Sequence, residues 1–145
     1  MNGGAPSVHA SAVLVGAKAV LIRGPARSGK SSLALALIAA AETGLLRFAR
    51  LVGDDRVLLE SRDGRLLVRP AQALAGLIEV RGVGIRRFEY EPVAAVGRVV
   101  DLAAADAQRL PEDDETEVAG ISLPRLAVAA GVDPLPALLV ALARH

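Results

Sequence analysis

The chain of 145 residues carries 17 lysines and arginines against 16 aspartates and glutamates, which gives a net charge of +1. This balance, together with only three aromatic residues, argues against a nucleic-acid-binding surface. The absence of cysteine excludes disulfides, thiolate metal sites and a cysteine nucleophile. The apolar fraction of 52% is spread over runs too short to span a bilayer, so we expect a cytoplasmic protein whose residues 1–145 form one domain.

The first half of the chain predicts hairpins around a single long helix. Strands at 8–15 and 18–23 are joined by Gly16-Ala17, and the second strand leads through a glycine-containing loop into a helix predicted over 32–43. Three short strands follow at 49–52, 56–61 and 65–69, and a fourth at 77–81 precedes a glycine loop at 82–84.

The second half adds two further strands and a helix. We expect strands at 93–102 and 121–128, a solvated acidic loop at 111–117, and a short helix at 134–143 that opens with prolines. Hairpins without strict β-α-β alternation predict an α/β domain with a mixed sheet and few helices.

A phosphate-binding motif is the most specific local signal. The run Gly24-Pro25-Ala26-Arg27-Ser28-Gly29-Lys30-Ser31 fits G-x-x-x-x-G-K-[ST] between a strand and a helix, which is the P-loop context. Backbone N–H groups and the helix dipole would then bind phosphate, Lys30 would reach the β- and γ-phosphates, and Ser31 would ligate Mg²⁺. The alternative is an ordinary glycine-rich turn.

Carboxylates after two short strands could hold Mg²⁺ or move a proton. Asp54 and Asp55 follow an apolar run, and strand alternation predicts that one of them faces the nucleotide; a two-acid turn is the alternative. Glu79 and Arg81 are two apart on a strand, which is equally compatible with a site or with a simple ion pair. His9 alone is uninformative, and no hydrolase triad or H-E-x-x-H pattern is present.

Taken together, four segments resemble the HPr kinase/phosphorylase family. They are Val8-His9-Ala10, the P-loop at 24–31, Val52-Gly53-Asp54-Asp55-Arg56-Val57, and the family signature Leu77-Ile78-Glu79-Val80-Arg81-Gly82-Val83-Gly84-Ile85. The resemblance covers residues 8–130 and implies a P-loop mixed-sheet catalytic domain similar to the nucleotide-binding part of phosphoenolpyruvate carboxykinase. It also implies an ATP- and Mg²⁺-dependent kinase that phosphorylates a serine of HPr, the phosphocarrier of the phosphotransferase system, or of a related carrier.

The resemblance assigns roles by matched position. Lys30 would contact phosphates, Ser31 and Glu79 would hold Mg²⁺, Asp55 would take the proton from the acceptor serine with His9 beside it, and Arg109 would contact transferring phosphate. The cofactor-binding residues are then Gly24, Pro25, Ala26, Arg27, Ser28, Gly29, Lys30, Ser31, Ser32, Asp54 and Arg81.

Departures from the family pattern limit what is expected. Residues 128–133 stand where the family carries a basic segment linked to phosphoserine dephosphorylation, so the phosphorylase direction is unsupported. Acceptor recognition must also differ, because the C-terminal helices are reduced to 134–145. Family members form hexamers through this domain, so we expect a homo-oligomer. The alternatives are an ATP-sensing regulatory module with little phosphoryl transfer and a generic ATPase.

Overall fold

The structure is a computed structural model that describes residues 6–107 and 114–143. Within these ranges the chain forms eleven strands and two α-helices. The strands are β1 (Ser7–Val8), β2 (Ser11–Val15), β3 (Lys18–Arg23), β4 (Ala49–Gly53), β5 (Val57–Arg62), β6 (Arg65–Pro70), β7 (Leu77–Val80), β8 (Gly84–Arg87), β9 (Ala94–Asp101), β10 (Asp114–Val118) and β11 (Ile121–Ala127). The helices are α1 (Lys30–Glu42) and α2 (Leu135–Ala143).

Nine strands form one mixed sheet with β9 at its centre. The order runs β1-β5-β6-β9-β3-β2-β4, and β11 pairs with the end of β9 while β10 pairs with β11. Strand β9 is parallel to β3 and β11 but antiparallel to β6. The β7–β8 hairpin forms a separate two-stranded sheet. The predicted α/β mixed sheet is therefore confirmed.

The two faces of the sheet bury different cores. On one face, side chains of β5 and β6 such as Leu59 and Leu66 pack with Leu21 of β3 and Val99 of β9. On the other face, Val20 and its neighbours pack beneath α1 and α2. Burial of apolar surface at about 25 cal/mol per Å² is the main stabilising contribution of both cores.

Helix α1 is built from alanine and leucine, which have high helix propensity. Its buried face consists of Leu33, Ala34, Leu37 and Ala40, a spacing that places all four on one side of the helix. The helix ends at Thr43, whose hydroxyl donates to the carbonyl of Ala39, before a glycine at φ +87°.

Most predicted elements are confirmed to within a few residues, including α1, α2, β9, β11 and the β2–β3 and β5–β6 hairpins. Three details were wrong. Residues 114–117, expected in a solvated loop, lie in β10 because they pair with β11. Residues 84–87 form β8, which pairs with β7, and Val8 lies in the separate strand β1, which pairs with β5. The rest of the predicted acidic loop, 111–113, lies outside the described residues.

The described part of the chain contains no helix that is both long and apolar enough to cross a membrane.

Candidate active site

The candidate site lies at one edge of the sheet, where three chain segments meet. Strand β2 is antiparallel to both β3 and β4, so β3 and β4 run in the same direction. The end of β3, the end of β4 and the start of β2 therefore lie side by side. These positions carry the 24–31 loop, the Asp54-Asp55 pair and Ser11.

The 24–31 loop joins β3 directly to α1. Gly29 precedes the helix at φ +101°, and Arg27 also has a positive φ of +65°. The N–H groups of the first helical turn have no partners inside the helix, and the helix dipole favours negative charge at this end. Lys30 lies close by, since its Nζ donates to the carbonyls of Gly24 and Pro25 at 2.8 and 3.0 Å. The loop thus gathers donors and positive charge around one point.

The interior of the loop is tightly filled around Gly24. A Cβ atom at this position would lie 2.5 Å from the Ser28 hydroxyl and 3.1 Å from the carbonyl oxygen of Leu102. The buried Ser28 Oγ has no hydrogen-bond partner within the described residues. A glycine is therefore required at position 24, and Ser28 retains an unused hydroxyl inside the loop.

Asp54 connects β4 to the start of α1. Its side chain is only 4% exposed, and the Ser31 Oγ lies 2.8 Å from both of its carboxylate oxygens. The hydroxyl of the fully buried Ser11 donates to Asp54 Oδ1 at 2.6 Å. Asp54 therefore contacts the start of the helix that follows the loop. Which of the two acids faces a nucleotide stays a prediction.

Asp55 occupies a strained three-residue turn. Its φ is +67°, and the N–H of Arg56 donates across it to the carbonyl of Asp54 at 2.7 Å, which closes a γ-turn. The N–H of Asp55 donates to Ser11 Oγ at 3.3 Å, while its carboxylate is exposed. Positive φ at a residue other than glycine is uncommon and concentrates at functional sites. The turn places a free carboxylate next to the buried one.

This donor set fits a nucleotide with Mg²⁺. In the loop, the space at Gly24 is too small for a Cβ atom and the Ser28 hydroxyl has no hydrogen-bond partner within the described residues. Beside the loop, the Ser31 hydroxyl is bonded to the buried Asp54 carboxylate. In the described residues no cluster of three or more histidine or acidic side chains could hold a metal by itself. Mg²⁺ commonly takes one or two protein oxygens and completes its shell with phosphate oxygens and water. A site with few protein ligands is therefore compatible with Mg²⁺ that enters together with a nucleotide.

His9 contacts Arg56, the residue after Asp55. The His9 Nε2 atom lies 3.1 Å from Arg56 Nη2, and the Nη1 of the same guanidinium donates to the Ser7 hydroxyl at 2.9 Å. Because a guanidinium only donates, Nε2 is the acceptor and carries no proton in this contact. The predicted place of His9 beside Asp55 stays a prediction.

Glu79 and Arg81 lie on the β7–β8 hairpin. Glu79 is exposed on β7, a strand that contacts α1, while Arg81 lies in the turn after the strand has ended. No ion pair joins the two side chains in the part of the chain that the structure describes, so the ion-pair alternative is wrong. The role of Glu79 as a metal ligand stays a prediction, and Arg109 lies outside the described residues.

A charged cluster that the sequence did not predict flanks the loop. Arg23, the last residue of β3, donates to Asp101 at 2.7 and 2.8 Å, and Arg125 of β11 donates to the same carboxylate at 2.6 Å. Arg125 also contacts Asp106 and Asp114. Burial alone would raise the pKa of Asp101, but the two arginines outweigh it and hold that pKa below 3.8. The hydrogen bonds that Arg125 donates to Asp106 and Asp101 raise the pKa of its guanidinium. These residues are far apart in sequence, so only the sheet order brings them together.

A separate groove of about 740 Å³ lies at the opposite end of β3, between the β2–β3 turn and α2. Its walls are mainly apolar and include Leu46, Phe48 and Leu142, while Lys18 lies at its rim. It contains none of the residues expected to bind phosphate.

Comparison with known proteins agrees with the resemblance found in the sequence. Residues 4–90 match the family model described as HPr Serine kinase C-terminal domain. A solved structure of the HPr(Ser) kinase/phosphatase from Coxiella burnetii superposes with a TM-score of 0.76 at 27% identity, covering 96% of this chain and 94% of that chain.

Curated relatives are similar over part of their length. The HPr kinase/phosphorylase of Streptococcus sanguinis is 35% identical over an alignment of 135 residues, which covers 84% of this chain and 41% of the relative. That of Streptococcus thermophilus is 44% identical over 80 residues, 54% of this chain and 24% of the relative. The chain thus spans well under half the length of these relatives.

Proposed function

Because the chain belongs to the HPr serine kinase C-terminal domain family, we propose that it transfers the γ-phosphoryl group of ATP to a serine of an HPr-type phosphocarrier. The observation that carries this proposal is the contact between Ser31 and the buried Asp54 at the start of α1. The contact supports the proposal because a hydroxyl and a carboxylate side by side, next to the 24–31 loop, are groups that could hold the metal of a bound nucleotide.

Phosphate binding is assigned to the 24–31 loop and the first turn of α1. Lys30 holds the carbonyls of Gly24 and Pro25, and its three ammonium protons can be redirected to phosphate oxygens when a nucleotide enters. The loop N–H groups and the helix dipole supply further positive potential. The proposed contacts are Gly24, Pro25, Ala26, Arg27, Ser28, Gly29, Lys30, Ser31 and Ser32.

The metal side of the site is formed by Ser31, Asp54 and Glu79. A hydroxyl that donates its proton to a carboxylate keeps its lone pairs free, so Ser31 can bind a cation while it remains bonded to Asp54. Glu79 would add a second carboxylate from the hairpin beside α1. Bound Mg²⁺–ATP supplies the phosphoryl group and neutralises its developing charge.

The acceptor side is assigned to Asp55. Its carboxylate is exposed, so the serine of a second protein can reach it. As a general base it would take the hydroxyl proton while the serine oxygen bonds to the γ-phosphorus and the bond from that phosphorus to the leaving ADP breaks. Arg56 follows Asp55 in the chain and contacts His9, and these two side chains would orient this side. Arg81 and Arg109 are proposed to contact the transferring phosphate.

From the family we also propose that the protein is cytoplasmic and forms a homo-oligomer, specifically a hexamer. Its fold is proposed to be similar to the nucleotide-binding part of phosphoenolpyruvate carboxykinase. We expect kinase activity without efficient phosphorolysis, because residues 128–133 lack the basic segment.

The test mixes the protein with Mg²⁺, labelled ATP and purified HPr-type carrier and locates phosphate on the carrier by mass spectrometry. Phosphoserine that is lost in Lys30→Ala but retained in Lys18→Ala supports the proposal, since Lys18 is an exposed lysine at the start of β3, the end of that strand away from the 24–31 loop. Added inorganic phosphate then tests the reverse reaction. Tight ATP binding without transfer to any carrier would contradict the kinase and favour a nucleotide-sensing module.

A further inference from the structure

Ser11 is the least expected residue of the candidate site. It is fully buried at the start of β2, and Ser11 and Asp54 are the two buried polar residues in the described part of the chain. Its neighbours Ala10 and Ala12 are equally buried. Burying a hydroxyl is unfavourable unless it is hydrogen-bonded, and alanine would fill almost the same volume. Packing alone therefore does not explain a serine at this position.

The hydroxyl of Ser11 is bonded on both sides. It donates to Asp54 Oδ1 at 2.6 Å and accepts the N–H of Asp55 at 3.3 Å. One oxygen atom thus contacts the side chain of one acid and the backbone of the next. Both contacts cross more than forty positions of sequence.

We propose that Ser11 is a positioning residue that holds Asp54 and Asp55 in register, so that the metal side and the acceptor side of the site are aligned together. This inference rests on the proposed function. Ser11 fixes the Asp54 carboxylate as an acceptor for Ser31, which leaves the Ser31 lone pairs directed away from Asp54 and available to Mg²⁺.

The second half of the role concerns the strained turn. Asp55 has φ +67°, and such a conformation persists only where its surroundings enforce it. The bond from the Asp55 N–H to Ser11 restrains the turn on the side facing β2, while the bond from Arg56 to Asp54 closes it. Loss of the hydroxyl would allow the exposed carboxylate to leave the position required for proton transfer.

The test compares Ser11→Ala, Ser11→Cys and Ser11→Thr with Ser61→Ala, a control at an exposed serine of β5. ATP binding is measured by calorimetry with and without Mg²⁺, and phosphoryl transfer is measured as kcat and KM for the carrier. We expect Ser11→Ala to bind ATP normally without Mg²⁺. The factor by which Mg²⁺ raises the ATP affinity should be about tenfold smaller than in the wild type, as for partners of metal ligands. We expect kcat to fall at least tenfold with an unchanged KM, and Ser11→Thr to restore much of both.

Wild-type values of the Mg²⁺ enhancement and kcat in a folded Ser11→Ala protein would overturn the inference. If Ser11→Ala does not fold, Ser11→Cys replaces it, because the thiol is a weaker donor of similar shape, and wild-type behaviour there would be equally contradictory. A wild-type protein that binds Mg²⁺–ATP but transfers to no carrier would contradict the proposed function alone, since the binding measurements still decide the role of Ser11. If Ser61→Ala loses as much of the Mg²⁺ enhancement and of kcat as Ser11→Ala does, that result would also contradict the proposed role of Ser11.

Discussion

Ser31 and Asp54 are 23 positions apart in the chain, yet the Ser31 hydroxyl lies 2.8 Å from both carboxylate oxygens of Asp54. The contact arises because β3 and β4 run in the same direction on either side of β2, so that their ends share one edge of the sheet. It joins the start of the helix that follows the 24–31 loop to a buried negative charge. This relationship makes Asp54 the first residue to test.

Asp54→Asn should weaken the effect of Mg²⁺ on nucleotide binding. The substitution removes the buried carboxylate that accepts the Ser31 proton. Because partners of metal ligands typically contribute 10- to 100-fold to metal affinity, we expect the Mg²⁺-dependent increase in ATP affinity to fall by about that factor. ATP binding without Mg²⁺ should change little. Calorimetric titrations with and without Mg²⁺ measure both quantities. The matched control is Asp63→Asn in the exposed β5–β6 turn, and an unchanged Mg²⁺ response in Asp54→Asn would refute the assignment.

Asp55→Asn and Asp55→Ala should differ in stability but not in activity. Both remove the proposed base, so phosphoryl transfer should fall by about 10²- to 10⁴-fold while ATP still binds. Asparagine tolerates positive φ, whereas alanine at φ +67° should cost about 1 kcal/mol of unfolding free energy. Urea unfolding and carrier phosphorylation separate the two effects. Loss of ATP binding in Asp55→Asn would contradict the role of Asp55 as base.

Local sequence was sufficient to predict the parts of the site that depend on a few consecutive residues. The spacing of Gly24, Gly29 and Lys30 identified a loop between a strand and a helix, and the alanine–leucine composition identified α1. Strand β10 was missed because its acidic residues are unlike a typical strand, and β8 because all four of its residues are exposed. Their pairing partners, and not their own composition, determine these strands.

The contacts that align the site could not be predicted, because they depend on which strands are neighbours. Nothing in the sequence around Ser11 indicates that it will meet Asp54, and a serine between buried alanines is unremarkable by itself. The same holds for Arg125, which reaches Asp101 only because β11 pairs with β9. The burial of Ser11, which packing does not explain, becomes visible only in the structure.

Gly24→Ala should destabilise the loop and weaken nucleotide binding. The added methyl group would lie 2.5 Å from Ser28 Oγ and 3.1 Å from the Leu102 carbonyl, so the loop must shift. Overpacking of this kind typically costs about 1–3 kcal/mol. Thermal unfolding and ATP titration measure the effect. The double variant Gly24→Ala/Ser28→Ala should recover part of the loss, since it removes the nearer obstacle but leaves the carbonyl.

A useful control for this comparison is Gly120→Ala. Gly120 also has positive φ, but it lies between β10 and β11 with no atom within 4 Å of an added Cβ. It should lose stability through backbone strain while keeping its ATP affinity. If Gly24→Ala behaves in the same way as Gly120→Ala, the close approach at Ser28 and Leu102 does not shape the phosphate site.

Arg125→Met should reduce stability at neutral pH and lose that effect in acid. The side chains of Arg125 and Asp101 are 13% and 15% exposed, and breaking their pair should cost about 2 kcal/mol, between the values for exposed and buried ion pairs. Arg23 and Arg125 hold the folded-state pKa of Asp101 below its ordinary value of 3.8, despite the opposing effect of burial. The unfolded chain therefore binds more protons near pH 4, and the stabilising contribution is present above that pH and lost below it.

Urea unfolding of wild type and Arg125→Met between pH 3 and pH 7 checks this sign. The difference in unfolding free energy should be largest at pH 7 and should shrink as the pH falls below about 4, because protonated Asp101 no longer attracts Arg125. Arg62→Met is the control, since Arg62 is exposed and lies 3.6 Å from Glu60, and it should change stability by less than about 1 kcal/mol. A difference that stays constant across the range would mean that Arg125 stabilises the fold through packing of its aliphatic stem and not through its charge.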